Sequence, residues 1–226
     1  KWLLSVKPDI EIINYDEYCP LDGACENGHL EVVKWLLSVI PDDDNSIKQY
    51  EFSFQMACEH GHLEVAKWFL SVKPDIDISA MNEWAFRCAC ENGFIRVAQW
   101  LLSVKPDIDI SAMNEWAFQF ACRNGNLEIA KWLLSVKPDI DISIQYEYTF
   151  QFACEKGNLD VAKWLLSVKP DIDISAQNEY AFRLACSCRW ITNILFAQWL
   201  LSVKPDIDIS AEDEYAFRLA CEKGNL

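Results

Sequence analysis

The sequence contains no uninterrupted apolar run near the roughly 18 residues of a membrane-spanning helix, so we predict no membrane partner. We also expect no secretory leader. Basic residues are scarce: 20 Lys and Arg stand against 35 Asp and Glu, a formal net charge of −15. Because nucleic-acid affinity comes largely from clustered Lys and Arg, we predict no nucleic-acid partner. A partner protein with a basic surface fits this charge better.

Metal-ligand patterns are equally sparse. No Cys-x-x-Cys pair completes a zinc set, and there are only three histidines. Most of the ten cysteines recur once per repeat in an apolar phrase, which predicts buried thiols in an intracellular, reducing compartment. Cys58, His60 and His62 could form a metal site or a thiol–imidazole pair. The alternative is that His62, like His29, is a turn residue that caps or braces the second helix. We predict no metal, no cofactor and no enzyme activity.

Two markers repeat along the chain in one register. Tryptophan in the phrase Lys/Gln-Trp-Leu/Phe-Leu-Ser-Val recurs every 32, 33 or 35 residues, at Trp2, Trp35, Trp68, Trp100, Trp132, Trp164 and Trp199. Cysteine in an Ala-Cys phrase keeps the same spacing, at Cys25, Cys58, Cys90, Cys122, Cys154, Cys186 and Cys221. A fixed period of this length is typical of a solenoid, in which neighbouring repeats cover each other's apolar surfaces.

Each repeat is predicted to contain two helices, joined by a short turn and followed by an extended loop. The first helices, called helix A, are predicted near 17–27, 50–60, 82–92, 114–124, 146–156, 178–190 and 213–223. The second helices, called helix B, are predicted near 1–6, 30–39, 63–72, 95–104, 127–136, 159–168 and 193–203. We expect residues 1–226 to form a single repeat array and to be a fragment of a longer polypeptide, since a repeated phrase is cut at each end.

Local signals mark the ends of the helices. Asn82 is expected to cap the N-terminus of its helix A, and Gly93 to take the left-handed C′ position. Pro74 follows helix B by about two residues and stops it, because proline disfavours helix in its predecessor.

The loop after helix B alternates polar and apolar residues. Ile76 and Ile78 are predicted to face the stack, while Asp75 and Asp77 face water. The same carboxylate pair returns in later repeats, at Asp107/Asp109, Asp139/Asp141, Asp171/Asp173 and Asp206/Asp208. A catalytic site needs one pocket that differs from its neighbours, so we interpret the loop, called the finger, as a solvated acidic edge.

The turn phrases resemble those of the ankyrin repeat family. Residues 28–33 read Gly-His-Leu-Glu-Val-Val, as in the family, and residues 61–67 are similar. The family's Thr-Pro-Leu-His opening survives only as Cys-Pro-Leu-Asp at 19–22, and elsewhere becomes Trp-Ala-Phe-Arg, as at 84–87, or an equivalent. The residues at the family's His position can still donate hydrogen bonds; they are Arg87, Gln119, Gln151, Arg183 and Arg218.

The resemblance covers essentially the whole chain and implies an all-α fold: an ankyrin-type helical repeat solenoid of stacked antiparallel helix pairs with projecting finger loops. The 32-residue spacing and the loop phrase Lys-Pro-Asp-Ile-Asp-Ile are similar to divergent ankyrin arrays of large amoeba-infecting DNA viruses. This similarity implies a viral protein located in the host cytoplasm or the virion.

The resemblance also implies a protein–protein interaction scaffold that binds its partner through a concave groove and the finger loops. Positions that vary between repeats are the best candidates for contact, because the packing of each repeat leaves them free. The candidate partner-binding residues are Met81, Asn82, Trp84, Arg87, Met113, Asn114, Trp116, Gln119, Gln145, Tyr146, Gln151, Gln177, Arg183 and Trp190.

One repeat departs from the pattern. Between 187 and 197 it is three residues longer than its counterparts and lacks the turn glycine. Trp190 and Ile191 either form an apolar protrusion for a partner or are buried against the neighbouring repeat. The alternative function is a structural or assembly element of a larger particle or complex that associates with itself through open solenoid ends.

Overall fold

A computed structural model describes residues 19–40, 46–140, 146–187 and 191–223. These ranges contain thirteen helices and no strand, which confirms the predicted all-α repeat solenoid. The chain forms two compact units, an N-terminal unit that ends at Asp109 and a C-terminal unit that begins at Ile110. Among the described helices, none has the length and apolar character needed to cross a membrane.

Odd-numbered helices are helix A and even-numbered helices are helix B of successive repeats. The N-terminal unit contains α1 (Pro20–Glu26), α2 (Leu30–Val39), α3 (Ser46–Glu59), α4 (Leu63–Val72), α5 (Ala80–Glu91) and α6 (Ile95–Val104). The C-terminal unit contains α7 (Ala112–Arg123), α8 (Leu127–Val136), α9 (Tyr146–Lys156), α10 (Leu159–Val168), α11 (Ala176–Ser187), α12 (Ile191–Val203) and α13 (Ala211–Lys223). Within each unit, helix A packs against the helix A of the next repeat.

Helix B follows the repeated tryptophan phrase closely. The helices α2, α4, α6, α8 and α10 span the expected ranges, α12 begins two residues before 193, and the expected helix at 1–6 lies outside the described residues. In α4 the buried residues are Val65, Ala66 and Phe69, which share one face of the helix. Near its end, the Ser71 hydroxyl donates a 2.6 Å hydrogen bond to the Trp68 carbonyl, as an equivalent serine does in five other helices B.

Four helices A begin with a left-handed turn that the sequence reasoning did not predict. Three consecutive non-glycine residues have φ between 56° and 61°, at 81–83 in α5, 113–115 in α7, 177–179 in α11 and 212–214 in α13. The prediction that Asn82 caps its helix is therefore wrong, because Asn82 has φ 57° and ψ 57° whereas an N-cap residue is usually extended. These four helices begin two residues before the expected starts.

The other helices A and the turn glycine stay closer to expectation. The helix α9 matches 146–156, α3 begins at Ser46 rather than at 50, and residues 17–18 and 188–190 lie outside the described ranges. Gly93 has φ 87° and lies just after α5, as predicted for a C′ residue.

Aromatic contacts between repeats recur at equivalent places. A phenylalanine of helix A that is at most 1% exposed meets the tryptophan of the next repeat's helix B. The ring centroids lie 6.2 to 6.5 Å apart in the pairs Phe54 and Trp100, Phe118 and Trp164, and Phe150 and Trp199. Each helix pair is thus covered by its sequence neighbour within the unit, which is the physical basis of a repeat stack.

The finger after helix B has the predicted alternation. Ile76 and Ile78 are buried, whereas Asp75 and Asp77 are exposed. The Asp77 carboxylate accepts a 2.9 Å hydrogen bond from the backbone N–H of Ser79, and Asp173 and Asp208 repeat this contact in their own fingers. The finger is therefore a set of turns held by local hydrogen bonds, and it leads directly into the next helix A.

Candidate functional site

The left-handed turn of helix A is held by the residue at the family's histidine position. In α5, Arg87 Nε donates to the Asn82 carbonyl at 2.6 Å and Arg87 Nη2 donates to the Met81 carbonyl at 3.1 Å. Left-handed backbone costs roughly 1–2 kcal/mol per L-residue, and these charge-assisted bonds offset part of that cost. Arg183 and Gln119 make equivalent bonds in their own helices.

This bracing role changes how the predicted contact residues are interpreted. Arg87 is only 4% exposed and Gln151 only 3%, so neither offers much surface to a partner. Arg183 and Gln119 are half-buried and already bonded to backbone. We therefore leave Arg87 and Gln151 out of the contact surface proposed below. The sequence-based prediction that they contact a partner stays a prediction.

A glutamate that the sequence reasoning missed ties helix A to the next finger. Glu83 is buried, and its Oε1 accepts the backbone N–H of Asp109 at 3.3 Å. Glu51 accepts from Asp77 at 3.3 Å, and Glu179 accepts from Asp208 at 3.4 Å. The signal was available, since a glutamate directly precedes the aromatic residue of helix A in each of these repeats. It fixes the finger beside the start of the preceding helix A.

The turn histidine contacts the preceding repeat. His62 Nε2 lies 2.8 Å from the Glu26 carbonyl, and its ring covers Gly28 so closely that an added Cβ would be 2.4 Å from Nδ1. It makes no side-chain cap bond to α4, so the expectation that it braces its own helix is corrected. Cys58 is fully buried, and the described residues contain no group of three or more His, Cys, Asp or Glu able to hold a metal ion.

The cysteines in the described ranges are free thiols, and most of them are buried. Burial raises the pKa of the Cys58 thiol well above its ordinary value, and it raises the pKa of Cys88 to about 12 and that of Cys186 to about 11. Because the thiolate is the reactive form, these residues are poor nucleophiles at neutral pH. Cys221 is the exposed member of the set.

In α5 of the N-terminal unit, polar groups lie beside Trp84 on the outward side of helix A. Trp84 is half-buried, and its Nε1 donates to Glu59 Oε2 at 3.3 Å. The Arg87 guanidinium lies 5.5 Å from the Trp84 ring centroid. One turn further along α5, Cys88 is buried and adds no exposed apolar surface. The indole is therefore held by charged neighbours.

In the C-terminal unit, the same side of helix A carries five aromatic rings, three of which are in contact. Trp116 and Phe120 stack with centroids 4.1 Å apart at 10°, and Phe120 meets Phe152 of the next helix A at 6.5 Å. Tyr148 and Tyr180 are exposed on α9 and α11. We call Trp116, Phe120, Tyr148, Phe152 and Tyr180 the aromatic face.

Two arginines lie on these rings. The Arg123 guanidinium is 5.5 Å from the Phe120 centroid and 4.9 Å from that of Phe152, and it pairs with Glu155 at 3.4 Å. The Arg183 guanidinium is 5.3 Å from the Tyr180 centroid and 5.6 Å from the Tyr215 centroid. Half-buried aromatic and arginine side chains are the types that concentrate binding energy at protein interfaces.

The structure places the predicted contact residues unevenly. Met81 and Met113 are 60% and 52% exposed. The exposed candidates also include Asn82, Asn114 and Gln177, and the half-buried ones include Trp84 and Trp116. Gln145 and Trp190 lie outside the described residues, as does the side chain of Tyr146. Phe120, Phe152 and Arg123 were not predicted; the replacement of Cys88 by phenylalanine in two later repeats was the signal for them.

A shallow depression of about 350 Å³ lies on the turn side of the C-terminal unit. Its lining includes Gly125, Gly157, Asn158 and Leu195, which belongs to the irregular repeat and is 56% exposed. The predicted protrusion at Trp190 and Ile191 stays a prediction, because Trp190 and the Ile191 side chain are outside the described part of the chain.

Comparisons with known proteins agree with this architecture. The family profile described as "Ankyrin repeats (3 copies)" matches residues 23–114, 54–146 and 118–213. The chain is similar in structure to the crystal structure of the human ASB11 ankyrin repeat domain, with a TM-score of 0.57 and 16% identity, over 90% of this chain and 98% of that one. No curated protein matches it. Since the profile matches run from residue 23 to residue 213, the chain belongs to the ankyrin repeat family.

Proposed function

We propose that this chain is a protein–protein interaction scaffold that binds a partner protein through the outward side of helix A and the finger loops. Ankyrin repeat domains generally mediate protein–protein interaction, which supports the class of function. The single observation that carries the proposal for this chain is the aromatic face, where stacked rings and Arg123 remain half-buried or exposed without any catalytic group among them.

The energetics favour this surface over the rest of the chain. Each aromatic side chain can bury about 150–250 Å², and a few such residues usually supply most of the energy of an interface. The exposed Met113, at the start of α7, would add adaptable apolar contact. The excess of acidic residues favours a partner with a basic surface, because complementary charge speeds encounter and excludes acidic partners.

Affinity capture with matched variants tests the proposal. The whole chain is immobilised, and bound proteins are identified by mass spectrometry for the wild type, Phe120→Ala and Glu128→Ala. Glu128 is an exposed residue of α8, in helix B. We expect a partner that is retained by Glu128→Ala and lost from Phe120→Ala. A partner retained equally by both variants would contradict binding through the aromatic face.

A second candidate function is self-association as an assembly element. Phe217 of α13 is 61% exposed and Ile209 of its finger 60%, whereas Phe182 and Ile174, at the same positions one repeat earlier, are buried. A large exposed apolar surface marks an interaction site. Sedimentation of the wild type and Phe217→Ser over a concentration series tests it: only the wild type should gain mass with concentration. A monomer at every concentration removes this candidate.

We also propose an intracellular location: the cytoplasm or, for a viral protein, the host cytoplasm or the virion. Free, buried thiols support a reducing compartment. The proposed kinship with arrays of amoeba-infecting viruses rests on the repeat spacing and the finger phrase. Imaging of a fluorescent fusion tests the location, and the genes that flank the coding sequence test the origin.

A further inference from the structure

One aromatic position recurs on the outward side of helix A throughout the described chain. Its members are Phe52, Trp84, Trp116, Tyr148, Tyr180 and Tyr215. The residue three positions later is either arginine or glutamine. Where it is arginine, the guanidinium covers the ring of its own helix, at 5.5 Å for Arg87 on Trp84, 5.3 Å for Arg183 on Tyr180 and 5.8 Å for Arg218 on Tyr215. An electron-rich ring face attracts a cation at such distances.

Tyr148 differs from these positions. Its counterpart three residues later is Gln151, which is buried and carries no charge. Tyr148 is 51% exposed, and its ring meets no aromatic side chain or cation within the described ranges. The neighbouring arginines are already engaged: Arg123 lies on Phe152 and pairs with Glu155, and Arg183 lies on Tyr180. Within the described ranges, the chain therefore covers Tyr180 with its own arginine and stacks Trp116 on Phe120, but it leaves the ring of Tyr148 open.

The net acidic charge of the C-terminal unit favours an external cation. The finger that leads into α11, the helix A packed against α9, carries the exposed carboxylates of Asp171 and Asp173, which lie 3.9 Å from Lys169 Nζ and 4.0 Å from Lys204 Nζ, respectively. The C-terminal unit as a whole has 16 Asp and Glu against 11 Lys and Arg. Attraction to these groups brings a cation to the surface, and the ring gives it a defined position.

We propose that Tyr148 is the subsite for an arginine or lysine side chain of the partner protein. This inference rests on the proposed function and adds to it the chemistry of one contact. In the N-terminal unit, the corresponding exposed ring is that of Phe52, which has Gln55 three residues later. Tyr148 is the stronger candidate because its hydroxyl can also accept a hydrogen bond from the cation or its backbone.

The chain offers three matched variants for a test. Tyr148→Leu removes the ring and keeps an apolar side chain. Gln151→Arg supplies the missing guanidinium from within, at a position where Arg87 is accommodated with the same burial. Tyr215→Leu removes a ring of the same type that Arg218 already covers and that lies outside the aromatic face, so it serves as the control. Circular dichroism and thermal unfolding verify that each variant is folded.

The probe is a peptide selected against the whole chain from a phage-displayed library of random dodecapeptides. The tightest peptide is synthesised, and each of its lysines or arginines is replaced in turn by norleucine. We expect one replacement to weaken binding about three- to fivefold on the wild type and on Tyr215→Leu, the effect of one exposed cation–ring contact. On Tyr148→Leu and Gln151→Arg, the same replacement should leave the dissociation constant unchanged.

Two results would overturn the inference: a tightest peptide without lysine or arginine, or a norleucine penalty that is the same on Tyr148→Leu as on the wild type. In either case, a loss of affinity on Phe120→Ala still supports the proposed function, because the peptide then binds the aromatic face by other contacts. A peptide insensitive to both Tyr148→Leu and Phe120→Ala, or a library that yields no binder, counts against both proposals.

Discussion

The two units are built from the same type of repeat, but they differ in the side chains that helix A exposes. In the N-terminal unit, Trp84 is bonded to Glu59 and the next turn of α5 carries the buried Cys88. In the C-terminal unit, the corresponding turn carries Phe120 and Phe152, which extend the aromatic surface from one helix to the next. The units also differ in charge, with 19 acidic and 9 basic residues in the first against 16 and 11 in the second.

This difference shows which positions packing leaves free. The position of Phe54 and Phe118, which meet the next repeat's tryptophan, is Leu21 in α1 and phenylalanine in the later helices A, because an apolar side chain is needed there to fill the core. The position held by Cys88 or Phe120 changes size without changing the helix. We therefore expect substitutions at core positions to lower the stability of both units alike. Substitutions on the aromatic face of the C-terminal unit should lower the affinity for a partner.

The largest expected effect concerns the turn glycines. In Gly61→Ala, the new Cβ would be 2.4 Å from a ring carbon of Phe94 at φ +79°, so strain and overpacking together should cost about 3 kcal/mol. In Gly125→Ala, the contact is 2.8 Å to the end of the flexible Asn158 side chain at φ +82°, so about 1.5 kcal/mol is expected. Urea unfolding of both variants measures the difference, and equal losses would show that the neighbour's identity does not matter.

A binding effect of about 2 kcal/mol is expected from Phe120→Ala, because truncating an aromatic side chain at the centre of an interface typically costs this much. The affinity of the selected peptide should fall about thirtyfold. Cys88→Ala is the matched change in the N-terminal unit and should leave the affinity within twofold of the wild type. Isothermal titration with the same peptide measures both; similar losses would place the contact outside the aromatic face.

A smaller effect is expected from removing the brace of the left-handed turn. Arg87→Ala removes the donor to the Met81 and Asn82 carbonyls and a side chain that is itself only 4% exposed, so we expect a loss of about 1.5 kcal/mol in unfolding free energy. Arg183→Ala is partly compensated by water at a half-buried site and should cost about 0.7 kcal/mol. Thermal unfolding of both variants tests this order. A greater loss of stability in Arg183→Ala than in Arg87→Ala would contradict it.

The smallest effect concerns the thiols. It is measured in a Cys188→Ser variant, because Cys188 lies outside the described residues. At pH 8 the exposed Cys221 should react rapidly with a thiol reagent. This modification should change the free energy of unfolding by less than about 0.5 kcal/mol. Cys186 should react slowly, and faster as the pH rises, because burial raises the pKa of its thiol to about 11 and only the thiolate reacts. Cys58 and Cys90 of the N-terminal unit should react only on unfolding. Mass spectrometry of time points identifies the order, and early labelling of Cys58 would contradict it.

The sequence was sufficient for the repeat fold and insufficient for its details. Periodic tryptophans and the turn phrase located helix B to the residue in most repeats, because the helix begins and ends at strong local signals. The start of helix A was misplaced, since Asn82 carries an N-cap preference but lies in a turn of opposite hand that Arg87 stabilises from the next turn of the helix. The sequence predicts that Arg87 can donate hydrogen bonds, but it does not identify the carbonyls of Met81 and Asn82 as the acceptors, because that contact depends on three-dimensional geometry.

The candidate surface was predicted only in part. Variation between repeats correctly directed attention to Trp116 as a half-buried aromatic, but it missed Phe120 and Phe152, whose contact joins two repeats. It also included Arg87 and Gln151, whose burial became visible only with the helices packed. Residue type indicates what a side chain can do, whereas the neighbouring repeat decides whether it is available.

The contact between a turn glycine and the following repeat has a consequence for how such arrays change in length. The glycine accepts a histidine at one junction, a phenylalanine at another and an asparagine at a third, without any change in its own residue type. A helix pair can therefore be duplicated or deleted as a whole, because the junction it leaves behind already tolerates different side chains. During evolution, the array can gain a repeat and then diversify the outward side chains of the new copy, without further substitutions at the junction between repeats.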